Sequence, residues 1–415
     1  MPRPPNRLNL LFLTQTYPRT PEDGAGPFIR DLAAGLVRGG DRVTVLTPHA
    51  AGLPESWTAD GVLARTFRYA PESREVLGYG RSLEADEKVK GGAALVAPLY
   101  AWGARRAVVR ELRREAYDLV HAHWVVPNGL IAATVSRVPF AIGLHGSDVF
   151  LAEKPGVRTL VRGALRRARL LTGCSPELVR RVAALGFSEE RSRVIPYGVD
   201  VRHFSPRAPG DPDPGGWRAR LGIPLSAPLA LGVGRMATKK GFHVLFEALP
   251  EIFAAVPEAH VVLAGGGDLL PRFEREAARF EGRVHLAGGV LRDTLPDLYR
   301  TADLFVLPAV HDAQGNVDGL PNVILEAMAS GLAVVASGIS GVPLAVEAGE
   351  TGLLTREGDA ASVAAALIDL LRDERRRRSM GAAGRAKAER ELTWDAVAAR
   401  YREGYEMALA VAGRV

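Results

Sequence analysis

Short apolar runs alternate with stretches of helical periodicity along nearly the whole chain, and this alternation constrains the fold more than any other feature. In the first half the apolar runs read LNLLFLT, RVTVLTP, VLARTFRY, DLVHAH, PFAIGLH, LLTGCS and RVIPYG, and in the second half PLALGVG, HVVLAGGG, RVHLAG, DLFVLP, LAVVAS and GLLT. Strands separated by helices pair in parallel, with the helices covering the sheet faces. The sequence therefore predicts an α/β fold built on parallel sheets.

A segment rich in Pro, Gly and Asp, SPRAPGDPDPGGW, interrupts the alternation at residues 205–217. Because this composition favours an irregular linker, we predict one α/β domain over residues 1–204 and a second over residues 218–392. The final stretch, residues 393–415, is predicted to be a helix that packs on another element. The spacing of four apolar side chains carries this prediction: Trp394, Val397, Tyr401 and Tyr405.

The composition excludes several classes of protein. The single cysteine, Cys174, excludes an intramolecular disulfide, fits a reducing cytosol and is expected to be a small buried residue. The apolar run near the N-terminus is shorter than the core of a signal peptide, and no run approaches the ~18 apolar residues of a membrane-spanning helix. We therefore expect a cytoplasmic protein.

The net charge of +6 is distributed unevenly, with +10 over residues 1–210 and −4 over the remainder. Much of the excess consists of arginines within predicted helices. These arginines are either solvated helix faces or a basic surface that meets an anionic membrane or a phosphorylated acceptor. No nucleic-acid-binding motif accompanies the charge, so we predict no nucleic-acid partner.

The most informative motif spans residues 303–337 and reads as strand, polar loop, helix and strand. The helix is predicted to begin at Leu320 and Pro321, with Asp318 just before it and Glu326 in its second turn. A helix N-terminus offers free N–H groups and a positive dipole end to an anion, while carboxylates accept hydrogen bonds from hydroxyl groups. The motif therefore predicts a ligand that is part phosphate and part polyol.

The sequence LGVGRMATKKG places Arg235 and Lys240 between a strand and a helix. Two cations in this position form a clamp for a diphosphate. The glycines Gly232 and Gly234, with Ala237, also match a dinucleotide-binding fingerprint. The match is weak, because the TKKG loop delays the helix and no acidic residue ends the next strand, so we do not predict nicotinamide binding.

In the first half, LHGSD places His145 and Asp148 at the end of a strand. An imidazole there could bind a sugar hydroxyl or steady a departing phosphate, and the alternative is a histidine satisfied in a domain interface. Gly26 follows the first strand, where a glycine lets a ligand approach the backbone.

The sequence DLVHAHW adds two histidines, His121 and His123, followed by Trp124. Histidines two apart on a strand point the same way and could ligate a metal, but no third ligand is evident. Lining of the core or of a ligand site is the alternative, and we predict no metal site.

Taken together, the order and spacing of these segments resemble the family 4 glycosyltransferases, a retaining group with the GT-B architecture. The resemblance covers nearly the whole chain and includes LHGSD, VIPYGVDVRHFSP, LGVGRMATKKG, LAGGGD and the 303–337 motif. It implies two Rossmann-like domains that face each other across a cleft, with the helix at 393–415 crossing back to the first domain.

The resemblance also implies the roles of individual residues. Arg235 and Lys240 would hold the donor diphosphate, Asp318 the donor-sugar hydroxyls and Glu326 the ribose. The further implied donor contacts are Gly26, Gly234, Gly319, Leu320, Asn322 and Val323, and the implied acceptor-side residues are His145, Asp148 and Trp124. The implied catalytic residues are His145, near the donor sugar, with Arg235, Lys240 and Asp318. The family usually has Glu at the first acidic position, whereas Asp318 is one methylene shorter.

The implied reaction is retaining transfer of a hexosyl group from a nucleotide-diphosphate sugar, a UDP-sugar first and a GDP-sugar next. The acceptor would be a hydroxyl of a glycan, a lipid-linked glycan or a small molecule, with peripheral contact at the inner face of an anionic membrane. The resemblance implies no protein nucleophile, no cofactor and no divalent metal. The DGLPNV sequence is similar to members acting in surface-polysaccharide and lipid-linked glycan assembly. A nucleotide-sugar epimerase of the same fold and a non-catalytic sugar-nucleotide-binding protein are the alternatives.

Overall fold

The computed structural model of the protein describes residues 7–18, 26–75, 77–78, 83–85, 88–89, 93–135 and 137–412. It divides the chain into two compact units, one formed by Met1–Tyr197 with Trp394–Val415 and the other by Gly198–Thr393. Residues 205–217, predicted as a linker, lie within the second unit, where Pro214–Gly216 forms a 3-10 helix.

The first unit is built on an eight-stranded sheet with the order β10-β9-β8-β7-β1-β2-β4-β3, in which only β3 and β4 pair antiparallel. Its described strands are β1 (Asn9–Leu13), β2 (Arg42–Pro48), β3 (Ser56–Ala59), β4 (Val62–Phe67), the hairpin of β5 (Leu83–Ala85) and β6 (Lys88–Val89), β7 (Leu119–His123), β8 (Phe140–Leu144), β9 (Leu170–Gly173) and β10 (Ser192–Val194). Its helices include α1 (Pro27–Arg38), α2 (Ala93–Arg114), α3 (Leu130–Val135), α4 (Ser147–Ala152), α5 (Val157–Arg167) and α6 (Pro176–Ala183).

The second unit is built on a six-stranded parallel sheet with the order β13-β12-β11-β14-β15-β16. Its strands are β11 (Leu229–Val233), β12 (His260–Ala264), β13 (Val284–Gly288), β14 (Leu304–Leu307), β15 (Ala333–Ser337) and β16 (Gly352–Thr355). Its helices are α7 (Trp217–Leu221), α8 (Phe242–Ala255), α9 (Leu270–Ala277), α10 (Leu295–Thr301), α11 (Asn322–Ala329), α12 (Val342–Ala345), α13 (Ala360–Arg372) and α14 (Glu374–Glu391). Every residue of β11 and β14 is buried, as expected for central strands covered on both faces.

The final helix, α15 (Trp394–Ala412), belongs to the first unit. A Cβ at Gly35 of α1 would lie 2.8 Å from the carbonyl oxygen of Trp394, so a glycine at this position lets the two helices approach closely. The side chains whose spacing predicts a packed helix are buried, namely Trp394, Val397, Tyr401 and Tyr405.

Each sheet has a switch point, where the chain stops adding parallel strands on one side of its first strand and continues on the other side. These switch points position the candidate sites. The order reverses between β1 and β7 in the first sheet and between β11 and β14 in the second. Ligands of doubly wound sheets bind outside the carboxyl ends of the strands at such a switch point. The segments that follow β11 and β14 carry the residues predicted to bind the donor.

The predicted α/β fold with two parallel sheets is confirmed. No apolar run in the sequence predicts β3 or the hairpin of β5 and β6, which are short and lie apart from the central apolar strands. None of the described helices combines the length and the apolar content that crossing a membrane requires.

Candidate functional site

The candidate site of the second unit is built around the loops that follow β11 and β14. After β11 the chain passes through Arg235, which is exposed, and then forms a 3-10 turn at Thr238–Lys240. The N–H of Val310, just after β14, donates to the carbonyl oxygen of Lys239 at 3.0 Å. This bond fixes the lysine turn against the start of the 309–319 loop.

Two glycines make this close approach possible. Gly241 has a φ of 69°, and a Cβ there would overlap the carbonyl oxygen of Pro308 at the end of β14. A Cβ at Gly234 would lie 3.3 Å from Cδ of Lys240. The start of α8 and the aliphatic stem of Lys240 therefore lie directly against backbone.

Asp318 connects the two loops through two ion pairs. Nζ of Lys239 lies 2.9 Å from Oδ1 of Asp318, and Nζ of Lys240 lies 2.7 Å from Oδ2. Burial by itself raises the pKa of Asp318, but the ammonium groups of Lys240 and Lys239 outweigh this effect and hold the pKa well below its usual range. Asp318 is therefore ionised at physiological pH and sets the position of both lysines.

Sequence reasoning predicts Lys240 and Asp318 separately but misses their contact, and it misses Lys239. The only sequence signal for Lys239 is its place beside Lys240 in a loop, and the 3-10 turn is what brings both side chains to one carboxylate. An ammonium group has three N–H donors. Lys240 can therefore keep its bond to Asp318 and still bind a phosphate oxygen.

Glu326 on α11 is held by a tyrosine that sequence reasoning also misses. The hydroxyl of Tyr299 on α10 donates to Oε2 of Glu326 at 2.8 Å. Burial raises the pKa of Glu326, while the Tyr299 hydrogen bond and the charges of Arg292 and Lys240 act in the opposite direction. Lys240 thus stabilises the ionised form of both acidic residues that the sequence singles out.

The helix after the loop begins at Asn322 rather than at Leu320. Pro321 is its N-cap, with φ −66° and ψ 120°, and no side chain among the described residues caps this end. The N–H groups of Asn322 and Val323 have no acceptor inside the helix, as at any helix N-terminus. The extended conformation of Pro321 also leaves Leu320 outside the helix, in a buried position.

Asn322 also offers a side-chain acceptor at this helix start. Its Oδ1 is buried and accepts no hydrogen bond from the described residues. Because an unpaired buried acceptor is unfavourable, a ligand hydroxyl that paired with it would gain binding energy. The backbone in front of the helix is fixed, since the N–H of Gly341 donates to the carbonyl oxygen of Gly319 at 2.7 Å.

The long 309–319 loop is ordered by its own side chains. Oδ1 of Asp312, which is buried, accepts from the N–H groups of Gln314 at 2.9 Å and Asn316 at 2.7 Å. At the start of the loop, the N–H of His311 donates to Oε1 of Glu357 at 2.6 Å. These bonds fix the loop that carries Asp318.

In the first unit, the predicted residues gather around His145 at the ends of β1, β7 and β8. The ring centroid of Trp124 lies 4.8 Å from that of His145, and the backbone N–H of His145 donates to Oδ1 of Asp148 at 3.2 Å. Gly26 is the N-cap of α1 in a left-handed conformation, and Phe28 on that helix lies 4.9 Å from the His145 ring. The structure thus brings the four predicted residues of this unit into one neighbourhood.

Both ring nitrogens of His145 have partners. Nε2 lies 3.0 Å from Nδ1 of His123, and Nδ1 lies 2.8 Å from the hydroxyl of Tyr197. Burial lowers the pKa of His145 to about 3 and that of His123 well below its usual value, so both imidazoles are neutral. Binding of a sugar hydroxyl or a phosphate through the His145 ring would require one of these two partners to be exchanged.

Asp148 and Trp124 shape the backbone around His145. The carboxylate of Asp148 accepts from the N–H groups of Val125 at 2.8 Å and Gly146 at 3.0 Å, and burial raises the pKa of Asp148 to about 6 against these bonds. Trp124 has a φ of 69°, which is rare for a residue other than glycine. Backbone strain of this kind concentrates at functional sites.

His121 and His123 line the core of the first unit beside α15. Both are fully buried, and Nδ1 of His121 lies 2.7 Å from the hydroxyl of Tyr405. Across the described ranges, no group of three or more His, Cys, Asp or Glu side chains has the arrangement of a metal site.

Comparisons with known proteins agree with this architecture. Residues 23–203 match the family model described as Glycosyltransferase Family 4, and residues 227–373 match that described as Glycosyl transferases group 1. Both acidic residues and the lysine turn lie within the second match.

Individual relatives extend the match across the chain. A GDP-mannose-dependent monoacylated alpha-(1-6)-phosphatidylinositol monomannoside mannosyltransferase of Corynebacterium glutamicum is 31% identical over 298 residues, covering 71% of this chain and 77% of the relative. A D-inositol 3-phosphate glycosyltransferase of Kineococcus radiotolerans is 31% identical over 419 residues, covering 93% of this chain and 91% of the relative. Sucrose-phosphate synthase from Thermosynechococcus elongatus has a solved structure that matches with a TM-score of 0.76 at 20% identity, over 97% of this chain and 100% of that one.

Proposed function

Because the chain belongs to glycosyltransferase family 4, it is a glycosyltransferase, and we propose that it moves a hexosyl group from a nucleotide-diphosphate sugar to a hydroxyl of a glycan or lipid-linked acceptor. One observation carries the donor assignment: Lys239 and Lys240 meet Asp318 directly before the uncapped start of α11. Cations, helix N–H groups and a carboxylate at one switch point suit a ligand that carries both a diphosphate and sugar hydroxyls.

Each residue of this cluster has a proposed part in donor binding. Lys240 and the first N–H groups of α11 bind the diphosphate, and Arg235 adds a bidentate contact. Asp318 uses the lone pairs left by the lysines to accept hydrogen bonds from the donor sugar. Glu326, oriented by Tyr299, accepts from the ribose.

The proposed transfer proceeds with retention at the anomeric carbon. The acceptor oxygen forms its bond on the face from which the diphosphate departs, as the bond between the anomeric carbon and the phosphate oxygen breaks. The acceptor proton passes to an oxygen of the leaving phosphate, so no protein nucleophile is needed. The lysines stabilise the charge that develops on the diphosphate, and we propose that no divalent metal is required.

Two lines of argument favour different donors. The resemblance seen in the sequence favours a UDP-sugar, whereas the name of the Corynebacterium relative specifies GDP-mannose and a phosphatidylinositol mannoside. GDP-mannose is therefore the first donor to test, and UDP-hexoses are the second.

A panel of nucleotide sugars should reveal the donor without a known acceptor. We expect slow release of nucleoside diphosphate from GDP-mannose or from one UDP-hexose, measured by chromatography, at a rate that EDTA leaves unchanged. The Lys240→Ala variant supplies the background rate. The proposed reaction would be contradicted if the protein consumed none of the donors. Metal independence would be contradicted if EDTA inhibited the release and added magnesium restored it.

We also propose that the first unit makes peripheral contact with the cytoplasmic face of an anionic membrane. The helix α2 exposes three large apolar side chains, Leu95 at 82%, Leu99 at 44% and Trp102 at 54%. Exposed arginines follow on the same helix, including Arg105 and Arg113. Apolar side chains combined with basic residues are typical of helices that bind a membrane interface.

Co-sedimentation with phosphatidylglycerol vesicles tests this contact. The wild-type chain should bind at low salt and dissociate as salt is raised, because exposed charges are screened. The Leu95→Ser/Leu99→Ser variant should lose binding, whereas Leu225→Ser, which changes a leucine 60% exposed in the second unit, should retain it. The membrane proposal is wrong if the wild-type chain stays in the supernatant at low salt.

A further inference from the structure

The first unit contains a cavity of about 390 Å³ between the outer part of its sheet and helix α2. One wall follows β4 and the end of β2, and the other follows residues 102–114 of α2. None of its lining residues belongs to the cluster around His145. We propose that this cavity binds a phosphorylated ligand through a set of arginine guanidinium groups.

The charge of the lining is the first observation. Two glutamates, Glu55 and Glu111, face an excess of arginines. Leaving His49 out of the count, the lining carries a formal excess of three positive charges, and Glu72 outside the lining pairs with one of the arginines, Arg68. The arginines of the lining are Arg65, Arg68, Arg106, Arg110 and Arg114.

The carboxylate of Glu111 already contacts three neighbouring side chains. Its Oε1 accepts from the hydroxyl of Tyr117 at 3.1 Å and lies 3.3 Å from Nε of Arg65, while Oε2 lies 3.7 Å from Nη1 of Arg114. Glu111 therefore neutralises part of the positive charge of the lining. Nε of Arg65 is buried and makes no hydrogen bond with the described residues.

Two arginines of the cavity lining have no ion-pair partner among the described residues. Arg106 and Arg110 lie one turn apart on α2, and neither forms an ion pair with a carboxylate in the part of the chain that the structure describes. The guanidinium carbon of Arg106 lies 4.4 Å from the ring centroid of Trp102, which orients the group.

The arginine from the opposite wall contacts a buried histidine, which is itself held by a buried glutamate. Nη2 of Arg68 lies 3.1 Å from Nε2 of His49, whose Nδ1 lies 2.9 Å from Oε2 of Glu75. Because a guanidinium only donates and a carboxylate only accepts, His49 carries its proton on Nδ1 and accepts from Arg68 through Nε2. The buried His49 and Glu75 thus orient the exposed Arg68, whose Nη2 also lies 3.5 Å from Oε2 of the exposed Glu72.

The geometry of the guanidinium group selects the ligand class. Arginine binds phosphate oxygens through two parallel N–H bonds, and arginines on two facing walls can contact different oxygens of one phosphate. The cavity is larger than a phosphate and falls in the usual size range of ligand pockets, so it can also hold the polyol or glycerol that carries the phosphate. The phosphate can come from a soluble ester or from a lipid headgroup.

Calorimetry with glycerol 3-phosphate tests the soluble source, with glycerol as the uncharged control. Wild-type protein should bind the phosphate ester, and Arg106→Gln/Arg110→Gln should bind it about 10- to 100-fold more weakly, because hydrogen bonds to charged groups are lost. The matched variant Arg105→Gln/Arg113→Gln removes the same charge from residues of the same helix that do not line the cavity, and it should bind normally. Equal weakening in the two variants would overturn the proposal.

Phosphatidylglycerol vesicles test the lipid source with the same two variants. A larger loss of vesicle binding in the cavity variant than in the matched variant identifies a lipid headgroup as the source of the phosphate. If the soluble ester does not bind and the two variants lose vesicle binding equally, the arginines act as diffuse surface charge and no phosphate site exists. Thermal unfolding of both variants confirms that they are folded.

Discussion

The Lys240→Ala variant should retain its fold and lose at least about 10²-fold in kcat, the usual effect of removing a charge contact made in the transition state. The ammonium of Lys240 is fixed by Asp318 at 2.7 Å, and its stem lies on the backbone of Gly234, so it is already in place when the diphosphate departs. Initial rates of nucleoside diphosphate release measure the loss.

The Lys239→Ala variant is the matched control for this prediction. Lys239 contacts the same carboxylate, but its side chain is 24% exposed compared with 13% for Lys240. We expect a smaller loss of kcat, because a more exposed charge interacts more weakly with a departing anion. Wild-type turnover in Lys240→Ala would remove Lys240 from its assigned role, and equal losses in the two variants would contradict the larger role given to Lys240 than to Lys239.

The Asp318→Asn variant should separate the binding of nucleotide from the transfer of sugar. The change keeps the shape of the side chain but removes the negative charge that neutralises Lys239 and Lys240, so affinity for free nucleoside diphosphate should stay the same or increase. Turnover should fall by about 10²-fold, since the carboxylate that holds the sugar and positions both lysines is lost. Calorimetry with GDP or UDP and turnover with the intact donor measure the two effects.

Glu357→Gln is the control for Asp318→Asn. Glu357 binds His311 at the other end of the same segment, so this variant also removes a carboxylate that contacts a basic residue of the loop. It should change turnover by much less than Asp318→Asn does. A parallel loss of nucleotide binding and turnover in Asp318→Asn would contradict the assignment of Asp318 to the sugar.

The fold could be predicted because parallel sheets leave a strong pattern in the sequence. Buried strands such as β11 and β14 read as continuous apolar runs, and helices between them force parallel pairing. The edge strand β3 has no such run, because three of its four residues are exposed. Strand order could not be predicted, since it depends on contacts between distant segments that leave no local pattern.

The candidate site could be predicted as a set of residue types but not as a set of contacts. The sequence predicts Lys240 and Asp318 as donor-binding residues, but their direct contact is visible only in the structure. The contact of Lys239 depends on a 3-10 turn pinned by Val310, which no motif encodes. The partners of the His145 ring, His123 and Tyr197, come from segments far apart in the sequence.

The burial of one arginine, Arg218, also could not be predicted from the sequence. Arg218 directly follows the segment predicted as a linker, yet it is only 1% exposed. Its Nη2 lies 3.0 Å from Oδ2 of Asp303, the first residue of the 303–337 motif. Its guanidinium also donates to the carbonyl oxygens of Pro224 and Ala227. Charged residues are almost never fully buried unless paired, and the sequence around Arg218 gives no sign of its distant partner.

A crystal structure of the full chain with GDP-mannose, or with the donor that the nucleotide-sugar panel identifies, would show where the diphosphate binds. We expect the diphosphate within hydrogen-bond distance of Nζ of Lys240 and of the first N–H groups of α11, with a sugar hydroxyl on Asp318. A diphosphate bound elsewhere, for example in the arginine-lined cavity of the first unit, with no contact to Lys240 or Asp318, would contradict this expectation.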